Sequence, residues 1–208
     1  MASAFKKSFL TATVFIGLSL LPISCDVICN DSCGCGPDFD VKDFSITSME
    51  SITLVSDGQQ VSSADTYPFD EVVKGIRVDE FQTLAMSESY SQVIPGFALA
   101  CSPRPSQSVE NLADIKIINS AEVKLSSGEK LKIGDDISEY FGINYYFSEG
   151  TQPISDFLED TLPIFSDDLL KLAWLNDPMG EISLKFTIQV ILDSGREISL
   201  TDEVLNIH

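Results

Sequence analysis

Histidine is almost absent from this chain, whose single histidine is His208. Catalysis by a serine or cysteine nucleophile needs a base within reach, and that base is usually histidine. The chain also has no G-x-S-x-G motif, no Gly-rich phosphate loop and no H-E-x-x-H motif. These absences argue against histidine-based catalysis and multi-histidine metal sites. We therefore expect a protein that is not an enzyme and that holds neither a cofactor nor a metal.

Positive charge is scarce as well. The chain has 13 Lys and Arg residues against 32 Asp and Glu residues, a formal charge of −19. Lys6 and Lys7 lie in a segment that we expect to be removed, which leaves 11 positive side chains against 32 negative ones, or −21. Phosphate recognition needs clustered Lys and Arg, and so does docking on an anionic lipid surface. The charge balance therefore excludes nucleic acid as a partner, while an apolar content of 44% is enough for a core.

The first 24 residues contain no acidic side chain and no apolar run long enough to cross a membrane. Lys6 and Lys7 precede the apolar run Phe9–Leu21, which has 13 residues, whereas a spanning helix needs about 20. A basic start, a short apolar stretch and a small residue before the cut are typical of a secretory signal peptide. We predict that residues 1–24 form one.

The residues LPISC (Leu21–Cys25) resemble the lipobox of bacterial lipoproteins, although Pro22 stands where that motif prefers an aliphatic residue. The resemblance implies that Cys25 becomes the first mature residue and carries acyl chains such as palmitate. Burial of these chains, at about 0.8 kcal/mol per CH₂ group, would hold the protein at a membrane without a spanning helix. The alternative is ordinary signal-peptidase cleavage, with Cys25 in a disulfide.

The cysteines number five, at positions 25, 29, 33, 35 and 101, and an odd count in an exported protein leaves one to explain. If Cys25 is acylated, two disulfides can form among Cys29, Cys33, Cys35 and Cys101. A Cys33–Cys35 bond would be strained, so we expect Cys101 to pair with one of the N-terminal cysteines. The alternatives are free thiols and a four-cysteine zinc or iron–sulfur site, whose C-x3-C-x-C spacing departs from the usual C-x2-C.

The clearest structural pattern lies near the C-terminus. Every even position from Ile182 to Leu192 is apolar, and four of the five odd positions are polar. This period of two indicates an antiparallel strand with one buried face. Asp193–Gly195 then predicts a turn, and Ile198 and Leu200 begin the return strand.

Further strands are predicted along most of the remaining chain, and helix is limited to Pro153–Leu162. Residues 164–175 are ambiguous, with DLLKLAWL compatible with a strand. A bulge is expected at Lys42–Asp43, and a hairpin across Ser126–Gly128. The predicted strand segments are residues 39–46, 52–55, 72–78, 97–101, 115–118, 123–125 and 131–133.

Eight to ten short strands without alternating helices indicate an all-β protein. We predict an antiparallel β-sandwich, immunoglobulin-like or related, with at most one or two short helices. Residues 25–38 would form a lipidated, Cys-rich tether and residues 39–208 the sandwich domain. A mature length near 184 residues suits one enlarged sandwich or two small ones.

Aromatic residues concentrate in YFGINYYF (Tyr140–Phe147), which has five aromatics in eight residues. Exposed Tyr and Trp side chains often stack on sugars, so Tyr145, Tyr146 and Trp174 are the candidate ligand-binding residues. The alternative is that the phenylalanines of this stretch fill the core and the tyrosines lie at its edge.

Acidic residues are dense at three places, and a carboxylate-based hydrolase would use two carboxyl groups about 5 to 9.5 Å apart. The alternative is that these acids are solvated and keep the surface soluble. Calcium is a further possibility at Asp38, Asp40 and Asp43, but their strand-like spacing does not match an EF-hand loop. The three dense places are Asp135–Asp136 with Glu139, Glu159–Asp160 and Asp167–Asp168.

Three later stretches contribute to a family resemblance, together with the lipobox-like LPISC and the cysteines that follow it. They are FALACSP (Phe97–Pro103), DIKIINSAEV (Asp114–Val123) and FTIQVILDSGREISLTDEV (Phe186–Val204). Together they resemble a family of Bacteroidota lipoproteins that carry a domain of unknown function. The resemblance implies an exported cell-envelope β protein and transfers no catalytic residue.

We therefore expect a lipoprotein of the bacterial cell envelope, at the outer membrane, in the periplasm or at the surface. It would be a non-enzymatic binding or structural accessory, anchored in the membrane through acylated Cys25. Its partner would be a glycan or another envelope protein. The alternatives are an adhesin-like module that binds glycan or protein, and a carboxylate-based hydrolase.

Overall fold

The computed structural model describes residues 43–84, 106–145 and 150–208. These residues form eleven strands, one short helix α1 (Ile154–Phe157) and one 3₁₀ turn (Ser138–Tyr140). Within these ranges no helix is long and apolar enough to span a membrane. The strands are β1 (Phe44–Val55), β2 (Thr66–Tyr67), β3 (Val72–Thr83), β4 (Leu112–Asn119), β5 (Val123–Lys124), β6 (Lys130–Leu131), β7 (Phe141–Tyr145), β8 (Gln152–Pro153), β9 (Leu170–Trp174), β10 (Ile182–Leu192) and β11 (Glu197–Ile207).

Two large sheets share one hydrophobic core. The five-stranded sheet has the order β1-β3-β9-β7-β8, and the four-stranded sheet has the order β2-β11-β10-β4. Neighbouring strands are antiparallel, except that β2 runs parallel to β11. Ile76 and Leu172 of the first sheet and Phe186 and Ile188 of the second belong to the same buried cluster, each 0% exposed. This architecture confirms the predicted all-β sandwich.

The β10–β11 hairpin is confirmed. The even residues of β10 face the core, where Leu184, Phe186, Ile188 and Val190 are fully buried. Gly195 adopts a φ of 83° in the turn and donates its N–H to the Leu192 carbonyl at 2.8 Å. Alternation of this kind buries one face of a strand, which explains why the pattern was readable in sequence.

A bulge in β11 changes which residues face the core. The pairing with β10 shifts register between Phe186 and Ile188, and Asp202 on β11 has a φ of 59°. The buried residue before the shift is Leu200, at an even position. After it, Leu205 and Ile207 at odd positions are buried. The extra residue thereby turns Glu203 toward the interior, because a bulge reverses the alternation of a strand.

A second bulge, in β1, has the same effect. The pairing of β1 with β3 shifts register between Ile46 and Met49, and both residues belong to the core. Beyond the shift the odd positions face inward, so Ile52 and Leu54 lie on the outer face of the sheet. Both are buried, yet neither belongs to the core cluster.

Several boundaries differ from the sequence predictions. The predicted helix Pro153–Leu162 is only α1, because Leu162 exchanges backbone hydrogen bonds with Leu112 at 2.7 and 2.9 Å, which requires an extended chain. The run 52–55 is part of β1, and the ambiguous segment 164–175 contains β9. The strand count exceeds eight to ten because two-residue strands such as β2 leave no periodic pattern. Lys42 and the predicted strand 97–101 lie outside the described residues.

Candidate functional site

A groove of about 720 Å³ lies on the outer face of the five-stranded sheet. We call it the sheet groove. Strands β1 and β3 form one side, and the loops at 58–60 and 166–169 form the other. Its lining residues are Glu50, Ile52, Leu54, Gly58, Gln60, Arg77, Val78, Asp79, Ser166, Asp167, Asp168 and Leu169.

The floor of the sheet groove is apolar because the β1 bulge sends Ile52 and Leu54 outward. Gly75, next to them on β3, has no side chain, so Leu169 packs directly onto this floor and buries it. A Cβ at Gly75 would lie 2.9 Å from Leu169 Cδ1 and 3.1 Å from both Ile52 Cγ1 and Leu54 Cδ1. The glycine is therefore required for the close approach of Leu169 to the sheet.

The rim formed by β1 and β3 carries three charged side chains. Glu50 Oε1 accepts a hydrogen bond from Arg77 Nε at 2.6 Å and forms an ion pair with Arg77 Nη2 at 2.5 Å. Asp79 Oδ2 accepts one from the Ser48 hydroxyl at 2.9 Å. The Glu50–Arg77 pair is substantially exposed, so it contributes little stability but neutralises the one cation of the lining set.

The opposite rim carries two adjacent carboxylates, Asp167 and Asp168. Asp168 Oδ2 accepts the Phe165 N–H at 2.7 Å. Burial, and to a smaller extent the neighbouring charge of Asp167, raise the pKa of the Asp168 carboxyl, although the hydrogen bond from Phe165 opposes this shift. Asp167 is exposed. A cation bound at this rim would relieve the repulsion between the two carboxylates.

A buried polar cluster lies under β1, on the core side of the sheet. The ammonium of Lys74, whose side chain is 3% exposed, lies 2.6 Å from Glu203 Oε2 and donates to Thr53 Oγ1 at 3.1 Å. Ser51 also donates to Glu203 Oε2, at 2.7 Å. The two bulges bring this cluster together, because each turns a polar segment inward. The ion pair joins the two sheets beneath the sheet groove.

Of the aromatic candidates, Trp174 lies in the core. It is 4% exposed, stacks on Tyr140 with ring centroids 5.2 Å apart and meets Phe141 edge to face at 5.3 Å. It presents no open ring face to a sugar, and its placement agrees with the core-filling alternative. Burial, followed by interaction with Glu129, raises the pKa of Tyr140 to about 12.

Tyr145 is half-buried at the end of β7. Its ring packs against Phe157 at 5.2 Å. Burial raises the pKa of its phenol, and the charge of Asp168 raises it further, so Tyr145 lies near the acidic rim of the sheet groove. Tyr146 lies outside the described residues, as do the lipidation candidate and the four disulfide candidates, Cys25, Cys29, Cys33, Cys35 and Cys101.

The dense carboxylates have different roles. Asp135 Oδ2 accepts the Lys132 N–H at 2.7 Å, and Asp136 Oδ1 accepts the N–H and hydroxyl of Ser138 at 3.0 and 2.6 Å, so both hold a loop beside β4. Of the three dense places, Asp167–Asp168 is the one that lines the sheet groove. Nowhere in the described ranges do three His, Cys, Asp or Glu side chains come together as a metal site would require.

Sequence reasoning missed the β1–β3 rim. Glu50 and Arg77 are 27 residues apart, and strand pairing alone brings them together. One signal was present: in MESITLV the apolar residues alternate with Ser51 and Thr53, which marks a strand with one apolar face. That pattern did not reveal which face the core would take.

Comparisons with known proteins show no matching family model and no similar curated protein. Among solved structures, the C-terminal domain of the Streptococcus agalactiae AgI/II polypeptide BspA is 16% identical over 77% of this chain and 49% of that chain, with a TM-score of 0.26. A mutant form, BspA_C_mut, is 15% identical over 77% of this chain and 46% of that one, with a TM-score of 0.24. The chain thus spans about half the length of these structures. Similarity of this degree establishes neither a common fold nor a common function.

Proposed function

We propose that this protein is a non-enzymatic binding module of the bacterial cell envelope, tethered to a membrane through acylated Cys25, and that the sheet groove is its ligand-binding site. The tether rests on the sequence: a signal peptide followed by a lipobox-like LPISC. The binding role rests on the geometry of the groove. A glycan or an envelope protein is the class of partner.

The observation that carries the binding role is a groove on the outer face of a sheet with aliphatic side chains at its base. Ile52 and Leu54 face outward instead of toward the core, and the partly exposed Leu169 packs over them at Gly75. A volume of about 720 Å³ lies within the range of about 300–1,000 Å³ that is typical of ligand pockets. Charged groups on both rims add the polar contacts that orient a ligand in such a site.

The tether is tested by the intact mass of the protein isolated from membrane fractions of a bacterial host, with and without reduction and alkylation. We expect a mass that includes acyl chains, and four thiols that react only after reduction. The variant Cys25→Ser should appear in the soluble fraction without the added mass. A wild-type chain that carries no lipid would refute the tether and leave the groove hypothesis untouched.

The groove is tested with a variant that partly fills it without changing charge. Gln60 is an exposed lining residue, so Gln60→Trp should weaken binding of any ligand that occupies the groove. Gln82→Trp, at an exposed position of β3 outside the lining, is the matched control. Both proteins are screened against neutral oligosaccharides, acidic polysaccharides and short peptides. Binding that Gln60→Trp leaves unchanged for every ligand would refute the site, and release of reducing ends from the glycans would favour the hydrolase instead.

A further inference from the structure

The charge around the sheet groove is strongly unbalanced. Four carboxylates line it, those of Glu50, Asp79, Asp167 and Asp168, against the single cation of Arg77. The guanidinium of Arg77 already contacts Glu50 through two nitrogens. The remaining three carboxylates give the groove a net charge of −3. An anionic ligand would have to displace the Glu50–Arg77 pair to find a cation among the lining residues.

The carboxylates of Asp79, Asp167 and Asp168 can still accept hydrogen bonds from a ligand. Asp79 receives one hydrogen bond, from Ser48, and a carboxylate can accept several. Asp168 receives the Phe165 N–H on one oxygen. Asp167 is exposed, and its charge opposes the ionisation of Asp168. Asp79 stands on one rim, and Asp167 and Asp168 stand on the other, so cationic groups are favoured on both sides of the floor.

The floor requires a different chemistry from the rims. Leu169 is the partly exposed apolar side chain over the buried Ile52 and Leu54, and a ligand that covers it gains about 25 cal/mol for each Å² of apolar surface removed from water. A simple polyamine would satisfy the rims but bury little against Leu169. A neutral sugar would satisfy neither the net charge nor the aliphatic floor. A peptide that alternates basic and apolar side chains supplies both.

We infer that the sheet groove binds a basic, amphipathic peptide segment of a partner protein, with an apolar side chain on the floor and Lys or Arg side chains at the rims. This inference rests on the proposed function, because it specifies the ligand of the same site. The partner is therefore a protein with an exposed basic segment, and glycan binding becomes an alternative outcome of the test.

The test uses the full chain and a fluorescein-labelled octapeptide of alternating Lys and Leu, with a Glu/Leu octapeptide as the acidic probe. The groove variant is Asp79→Lys/Asp167→Lys, in which both substitutions are at exposed positions. The control variant, Asp70→Lys/Glu181→Lys, changes net charge by the same amount at exposed residues outside the groove. Binding is measured by fluorescence anisotropy at an ionic strength of about 0.15 M, where charges farther apart than about 8 Å are largely screened.

We expect saturable binding of the Lys/Leu peptide, no binding of the Glu/Leu peptide, and at least about tenfold weaker binding to the groove variant, with the control variant within about twofold of the wild type. Binding should also weaken as the pH falls and Asp168 takes up a proton, and Asp168→Asn should reduce this dependence. Thermal unfolding of both double variants establishes that they remain folded.

Three results would overturn the inference, and each has a different meaning. If the control variant weakens binding as much as the groove variant, the peptide responds to overall negative charge and not to the groove. If neutral oligosaccharides bind and lose affinity in Gln60→Trp while the Lys/Leu peptide does not bind, the ligand class is wrong but the groove remains the binding site. Gln60→Trp without effect on any ligand refutes the proposed function itself.

Discussion

Removal of one charge from the buried Lys74–Glu203 pair should destabilise the fold strongly. The substitution Glu203→Gln keeps the shape of the side chain and an oxygen that Ser51 can contact, but it leaves the ammonium of Lys74 without its counterion. Lys74 is 3% exposed, and its other hydrogen bond goes to the neutral Thr53 hydroxyl at 3.1 Å. Removal of one partner of a buried pair costs about 3–5 kcal/mol. Because Glu203 keeps 15% of its surface exposed, we expect a cost at the lower end of this range, about 3 kcal/mol.

Removal of both charges should restore most of this stability. In Lys74→Met/Glu203→Leu no charge remains to be desolvated, and buried ion pairs replaced by apolar side chains are often neutral or stabilising. The loss of an acceptor for Ser51 costs about 1 kcal/mol, so the double variant should lie within about 2 kcal/mol of the wild type. The exposed pair supplies the control: Arg77→Met removes a contact between side chains that are 48% and 38% exposed, and should cost no more than about 1 kcal/mol.

Urea unfolding of the purified proteins gives these free energies. A cost of less than about 1 kcal/mol for Glu203→Gln would contradict this expectation, because the pair would then behave like a solvated one. A double variant that loses as much as Lys74→Met and Glu203→Leu combined would also contradict the expected coupling. Additive losses would mean that the two side chains stabilise the protein independently, by packing, and not through the attraction between their charges.

Two further predictions concern the groove floor and the core. Gly75→Ala places a Cβ 2.9 Å from Leu169 Cδ1, and the resulting overpacking should lower the free energy of unfolding by about 1–3 kcal/mol; an unchanged urea midpoint would show that Leu169 moves aside freely. Tyr140 keeps its proton up to a pKa of about 12 in the folded protein, against 10.0 in an unfolded chain, so folded stability should fall as the pH rises from 10.0 toward 12. Ultraviolet titration should show a late phenolate transition that Tyr140→Phe removes, and five equivalent transitions near 10.0 would contradict this.

The two bulges connect the fold with the proposed site. Without the register shift in β1, Ile52 and Leu54 would face the core and the groove would have no apolar floor. Without the shift in β11, Glu203 would face outward and Lys74 would have no counterion. The irregular pairing at these two places therefore shapes both the buried cluster and the outer surface. Bulges are common beside functional sites because they change the direction in which side chains point.

Parts of the chain with regular local patterns were predictable. The β10 strand and its turn at Asp193–Gly195 follow from strict alternation and turn chemistry, which act between residues close in sequence. The β5–β6 hairpin across Ser126–Gly128 follows in the same way. In contrast, the two-residue strands and the end of α1 depend on pairing with distant residues such as Leu112. Local sequence patterns do not predict such pairing.

The candidate site was predictable only in part. Asp167–Asp168 stood out as adjacent acids, but the sequence did not separate them from Asp135–Asp136, which hold a loop through hydrogen bonds. Tyr145 was singled out for its aromatic neighbours, and its placement near Asp168 was not foreseen. Trp174 was proposed as a ligand-binding residue because Trp side chains often stack on sugars. Its burial depends on packing against Tyr140 and Phe141, which the sequence did not indicate.

The amino-acid sequence by itself determined the all-β class, the strongly negative charge and the long C-terminal hairpin. These properties follow from composition and from alternation along single strands. Only the tertiary structure decided which face of β1 the core would take, that Glu203 would meet Lys74, and that acids from β1, β3 and the 166–169 loop would surround one groove. The physical reason is that strand register, and the bulges that shift it, arise from pairing between residues far apart in the chain. A shift of one residue exchanges the two faces of a strand.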